Sequence, residues 1–139
     1  MLRTTTAIAA TAIIFAASGA WAGGHGSTED VLNHHLTSFG AGDLEGVMSD
    51  YTEDSVIILP GAKLEGLEAI EGLFVALIGE FSKPGMVFNI GDVAIHNNVA
   101  YITWTAETAD NVYGLSTDTF VIEDGKIAVQ TVTVAATPK

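Results

Sequence analysis

The spacing of apolar residues changes once along this chain, at Pro84-Gly85, and that change limits the folds open to it. Before it, apolar residues recur every three or four positions, the period of a helix with one buried face. After it, β-branched and aromatic residues alternate with polar ones, the period of strands. Ser27 with Asp30 forms a capping pair, and Val31, Leu32, His35, Leu36 and Phe39 follow at helical spacing until Gly40 and Gly42 end the run. Asp43 caps a shorter helix carrying Leu44, Val47, Met48 and Tyr51. The run from Ser55 to Leu59 reads as a strand closed by Pro60-Gly61, and Ile70, Leu73, Phe74, Leu77, Ile78 and Phe81 stripe a third helix. Beyond Gly85, Met86–His96, Val99–Thr108, about Gly114–Glu123 and Lys126–Ala135 read as four strands. Asn97-Asn98 and Asp124-Gly125 are two-residue connections of the type I′ hairpin kind, so the sheet is antiparallel. Helices first and a meander afterwards predict an α+β domain, its helices on one face of a curved sheet.

The first 22 residues stand apart from this pattern. M-L-R gives a short positive start, Ala7–Ala17 an apolar stretch, and A-W-A at 20–22 a small-x-small cleavage site, the arrangement of a secretory signal peptide. The stretch is broken by Thr11 and closed by Ser18-Gly19, too short for a membrane anchor. Cleavage after Ala22 leaves residues 23–139 as a single domain, periplasmic or secreted, with no membrane association after cleavage. Those 117 residues of the 139 suffice to bury roughly two thirds of their unfolded surface around one core. Seventeen acidic against five basic residues give a net charge of −12, and loss of Arg3 makes it −13, which repels nucleic acid and anionic lipid. The chain has no cysteine, so neither a disulfide framework nor thiol chemistry is available. Nucleotide-binding glycine motifs and a nucleophile elbow are absent from the sequence, and no cofactor is expected.

Four local motifs carry a resemblance to a known family: A-G-D-L-E-G-V at 41–47, Y-T-E-D-S-V at 51–56, L-E-G-L-E-A-I at 64–70 and D-T-F-V-I-E-D-G-K-I at 118–127. In this order around these elements, the chain resembles the nuclear transport factor 2-like superfamily, which includes ketosteroid isomerases and SnoaL-like polyketide cyclases. The resemblance implies a cone-shaped fold of three N-terminal helices packed on a strongly curved, mostly antiparallel sheet, enclosing a deep pocket and dimerising through the sheet's outer face. It does not imply one reaction, because the fold hosts unrelated activities. The isomerases use an Asp base, a Tyr and a protonated Asp, the last kept neutral by an apolar site. Carried across motif by motif, the base position falls on Leu59, the Tyr position on His35 and the second carboxyl on Asp118. Leucine cannot take a proton.

The residues themselves add to this. His35 lies four positions from both Val31 and Phe39, on the inward stripe of its helix, while His34 points about 100° away. Asp118 shares a strand face with Phe120 and Ile122, where a charged acid is costly to bury unless its pKa rises or the face opens to water. Around Trp104, periodicity buries Ile102, Trp104 and Ala106, whereas the family register turns Thr103, Thr105 and Glu107 to the pocket and leaves Trp104 outside. That register also points Gln130, Val132 and Val134 inward, and helix three offers Phe74. The candidate catalytic residues are therefore His35 and Asp118, and the candidate ligand-binding residues Tyr51, Leu59, Phe74, Thr103, Thr105, Phe120, Gln130 and Val132.

These residues predict an exported pocket protein that binds a small, largely apolar organic molecule and is at most weakly catalytic, since Leu59 replaces a base. The alternative is a cofactor-free acid-base enzyme of isomerase, cyclase or dehydratase type using His35 and Asp118. A third reading is a dimeric interaction module. Cleavage after Ala22 would also expose Gly23-Gly24-His25, whose amine, two amides and imidazole can hold Cu(II) or Ni(II) in a square plane of nitrogens. A visible d–d absorption band is then expected when Cu(II) is added to the mature chain, and it is lost in His25→Ala.

Overall fold

The structure, a computed structural model, describes residues 26–139; the signal-peptide segment and His25 lie outside the described residues. Three helices come first: α1 (Thr28–Gly40), α2 (Leu44–Met48) and, after a hairpin, α3 (Gly66–Phe81). The capping box predicted for α1 is present, with Ser27 Oγ accepting from the Asp30 amide and the Asp30 carboxylate accepting from the Ser27 amide. Asp43 caps α2 by accepting from the Gly46 amide. Between the two helices the chain turns at Gly42, whose φ of 68° suits glycine and whose Cα faces Ser82 beyond α3.

The sheet runs β2 (Ala62–Glu65), β1 (Val56–Leu59), β6 (Lys126–Thr133), β5 (Asn111–Glu123), β4 (Val99–Glu107) and β3 (Val87–His96). A short β7 (Ala136–Pro138) pairs with the first residues of β5, continuing where β6 leaves off. All pairs are antiparallel except β1 with β6, which the long α3 excursion makes parallel. The four long strands lie within a few residues of their predicted limits. Asp124 and Gly125 both have positive φ, as a type I′ turn requires, while in the other tight turn only Asn97 does. Pro60-Gly61 does more than end a strand: with Gly61 at φ 76° it turns β1 into β2, a strand that the polar A-K-L-E segment does not advertise.

The register shifts between Ile90 and Val93, between Trp104 and Ala106, and between Val121 and Ile122. Each extra residue bends its strand, so the bulges give the sheet its curvature. The helices cover the concave face. Leu32, Val47, Ile57, Ile70, Ile102, Phe120 and Ile127 are sealed between them and the sheet. This is the α+β arrangement that the change of period at Pro84-Gly85 predicts.

Adjacent residues in β1 test which face is which. Ile57 is fully buried and Ile58 is 44% exposed. Ile57→Ala is expected to cost roughly 2–5 kcal/mol, and Ile58→Ala under about 1 kcal/mol, both measured by urea unfolding of the purified protein.

Candidate functional site

Where α1 and α3 pass over the bent sheet, they do not close on it completely. A cavity of about 270 Å³ remains. Helix α1 contributes His35, Leu36 and Phe39 to its wall, and α3 contributes Leu73, Phe74, Leu77 and Phe81. The sheet supplies the floor, including Leu59, Phe88, Ile102, Trp104 and Tyr113, and beside them Asp118, Phe120, Gln130 and Val132. Of the residues singled out in the sequence, His35, Leu59, Phe74, Asp118, Phe120, Gln130 and Val132 line this one space. Tyr51 stands behind it, buried and joined to it through Gln130.

Thr103 and Thr105 do not line the cavity, and this corrects the register expected from the family resemblance. In β4 it is Ala100, Ile102, Trp104 and Ala106 that turn inward, as period two alone predicts. Thr105 is exposed on the convex face, and the Thr103 hydroxyl accepts from the Asp92 amide at the β3 bulge. Glu107 pairs with Lys139 away from the cavity. Pleating makes every side chain change face when a strand slips by one residue, so a single-residue error in the carried-over register inverted the whole strand.

Three of the polar residues that line the cavity form one chain with Tyr51. The Tyr51 hydroxyl donates to Gln130 Oε1, Gln130 Nε2 donates to Asp118 Oδ2 at 2.8 Å, and the Trp104 indole Nε1–H donates to Asp118 Oδ1, also at 2.8 Å. Asp118 is thus held at both oxygens by N–H donors from the two neighbouring strands. Burial raises the Asp118 pKa above the ordinary aspartate value; the Trp104 and Gln130 bonds and the nearby His35 only partly counter that. Tyr51 is pushed well above its usual pKa, first by burial and then by the charges of Asp118 and Asp50, so its hydroxyl remains a donor. Asp118 and Phe120 both line the cavity; the bond from Trp104 has no counterpart in the sequence analysis, where periodicity only turns Trp104 to the buried face.

His35 is buried, with its ring edge-on to Tyr51, Phe74 and Phe120 at centroid distances of 5.8, 5.6 and 5.4 Å. Its Nδ1 lies 3.6 Å from Asp50 Oδ2, and neither atom has a hydrogen-bond partner. The other Asp50 oxygen is 2.7 Å from His34 Nδ1. So His34 and His35 leave α1 in different directions yet meet one buried carboxylate from either side. Nothing in the local spacing marks Asp50, because it follows α2 in a turn and reaches the site by tertiary packing alone.

At the far rim, Glu80 accepts from Thr108 Oγ1 at 2.6 Å, Asn111 Nδ2 at 2.8 Å and the Tyr113 hydroxyl at 3.0 Å. Desolvation pushes the Glu80 pKa up, but these three bonds outweigh it and hold the carboxyl below its usual value. Burial, followed by the Glu80 bond and charge, pushes the Tyr113 hydroxyl up to about 12. This hub ties the end of α3 to the start of β5 and fixes the Tyr113 ring over the cavity. Among the described residues no group of three or more His, Cys, Asp or Glu is arranged to hold a metal ion.

Residues 32–130 match the SnoaL-like domain family. No curated protein is significantly similar in sequence. Several solved structures share the fold. An NTF2-like protein of unknown function from Mesorhizobium loti is 22% identical with a TM-score of 0.67, covering 78% of this chain and 90% of its own. A proposed polyketide cyclase from Sinorhizobium meliloti is 20% identical with a TM-score of 0.63, covering 74% and 93%. The epoxide hydrolase/cyclase-like enzyme SalBIII, which has a role in pyran ring formation in the polyether salinomycin, is 14% identical with a TM-score of 0.64, covering 78% and 90%. At these identities the likeness is one of fold.

The raised pKa of Asp118 has a signed consequence. Because the folded pKa lies above the unfolded one, the folded chain binds the extra proton. Stability falls as pH rises between the two values, and the deficit persists at neutral pH. In Asp118→Asn one oxygen becomes an NH2 that must face the Trp104 or Gln130 donor, so the variant is expected to be less stable at every pH, while its urea midpoint falls less than the wild type's between about pH 4 and neutrality.

Proposed function

The chain belongs to the SnoaL-like domain family, and on that premise we propose that it binds a small, largely apolar organic molecule in the cavity over Asp118, with little or no turnover. One observation carries this reading: the cavity is lined mostly by aliphatic and aromatic side chains, with the Asp118–Gln130–Trp104 group holding the one carboxylate on its floor. Such a site takes an apolar body and fixes its orientation through one polar end. Leu59, which lines the cavity where the resemblance puts an isomerase's base, argues against proton abstraction there. The signal-peptide pattern supports a periplasmic or secreted location. A homodimer is supported by the convex sheet face, where Tyr101, Leu115 and Ile58 are exposed and the outward positions of β4, β5 and β6 from Thr131 through Thr119 to Tyr101 carry no charge.

A second reading has its own support. His35 and Asp118 line the same cavity, and Asp50 stands behind His35 at 3.6 Å, close enough to accept from Nδ1 after a small shift and leave Nε2 as a base. In this reading His35 and Asp118 are the acid-base pair of a cofactor-free enzyme and Asp50 positions the imidazole. Proteins of this fold include one described as epoxide hydrolase/cyclase-like, so the scaffold accommodates such chemistry.

Native mass spectrometry of protein purified from the exported fraction of its own host separates the readings. The expected result is a dimer carrying one small organic molecule per chain. Repeated ligand-free spectra would contradict the binding reading. With the ligand in hand, wild-type protein that converts it, and His35→Ala and Asp118→Asn variants that bind but do not, would favour the enzyme.

A further inference from the structure

The proposal of a bound molecule leaves its polar end open, and the hydrogen-bond inventory of the cavity restricts it. Five lining residues carry polar side chains: His35, Trp104, Tyr113, Asp118 and Gln130. The Trp104 N–H is committed to Asp118, one Gln130 N–H to the other Asp118 oxygen, and the Tyr113 O–H to Glu80. The Gln130 carbonyl is already filled by Tyr51. His35 Nδ1 lies nearest Asp50, at 3.6 Å and without a hydrogen bond. Beside the second Gln130 N–H and the other His35 nitrogen, what the cavity still offers is the remaining lone pairs of the Asp118 carboxylate, its one full charge.

That carboxylate has no cationic side chain opposite it. All four lysines among the described residues are engaged elsewhere: Lys63 with Glu65, Lys83 with Asp110, Lys139 with Glu107, and Lys126 with the Ser49 carbonyl. Among the described residues the potential cation that acts on Asp118 is His35, whose ring is packed among three aromatic neighbours. Trp104, which donates to the carboxylate, belongs to an aromatic cluster on the cavity floor, stacked with Phe88 at 5.4 Å, tilted against Tyr113 at 5.6 Å and edge-on to Phe81 at 6.4 Å. Aromatic faces attract cations, and a desolvated carboxylate strengthens the same preference. An anionic ligand would meet like charge and few free donors; a ketone would lack a strong donor. The chain's net charge of −12 draws cations towards it over longer distances.

We infer that the ligand is an apolar organic amine whose ammonium group is seated on Asp118 against the Trp104 ring, and that the cavity discriminates against carboxylates of the same shape. This rests on the binding reading above and gives it a chemical class. The uncompensated carboxylate is then the recognition element, and the ammonium is the counter-ion it lacks.

The test uses three probes of one shape: phenethylamine, phenethyl alcohol and phenylacetate. Each is titrated into the ¹⁵N-labelled mature chain while the indole N–H resonance of Trp104, its single tryptophan, is followed. The expected order is amine, alcohol, carboxylate, with the amine at least about tenfold tighter than the alcohol. In Asp118→Asn the lead of the amine over the alcohol should collapse, with Gln130→Leu, which keeps the carboxylate, retaining it. An amine that binds no better than the alcohol, a carboxylate that equals the amine, or an amine lead that survives Asp118→Asn overturns the inference and leaves the binding reading standing. If none of the three moves the resonance, both fall together.

Discussion

A carboxylate held in an apolar enclosure by two N–H donors organises this protein. Asp118 sits on β5, and the groups that hold it come from the strands on either side, Trp104 on β4 and Gln130 on β6. Taking a carboxyl out of water is costly unless it is hydrogen-bonded, and bonds to a charged acceptor are stronger than neutral ones. The three central strands must therefore keep the register that brings an indole and a carboxamide to one carboxyl. Tyr51 extends the chain of bonds to the turn after α2, so the polar network also ties helices to sheet. The residual cost appears as the raised pKa of Asp118, a sign that burial exceeds what the two donors return.

The cavity follows from the same geometry. The extra residues lie in β3, between Ile90 and Val93, and in β5, between Tyr113 and Ser116, and the bend they give holds α1 and α3 away from part of the floor. The large rings of Phe39, Phe74, Phe81 and Trp104 line the space rather than filling it. His35 borders it from the other side with Asp50 behind, an arrangement that a binding protein and an acid-base enzyme could both use. Leu59, where the family resemblance puts an isomerase's base, lines the cavity with an aliphatic side chain. Fold alone does not choose between the two, since function resides in the groups that the fold presents.

Much of this was legible in the sequence because local rules act within a few residues. The Ser27 capping box, the Asp43 cap, the α3 stripe and the Asp124-Gly125 turn each depend on neighbours in the chain, and each is realised. The site was legible where period two held, so Asp118 and Phe120 were correctly put on one inward face. Thr103 and Thr105 were misassigned because a register borrowed from distant relatives has to be right to the single residue, and bulges leave little local trace. The signal in the strand itself, Ile102, Trp104 and Ala106 at alternate positions, gave the right face. Asp50 and Glu80 had no such signal, since their partners lie 15 to 33 positions away and meet them only when helices and sheet pack.

The central claim is that Asp118 is a desolvated carboxylate on the cavity floor, restrained by Trp104 and Gln130 and, among the described residues, paired with no lysine. A ¹³C titration of its carboxyl carbon in the ligand-free protein measures this directly. The account predicts a midpoint above the ordinary aspartate value of about 3.9. A midpoint at or below that value would mean a solvated or charge-paired Asp118, and would contradict it.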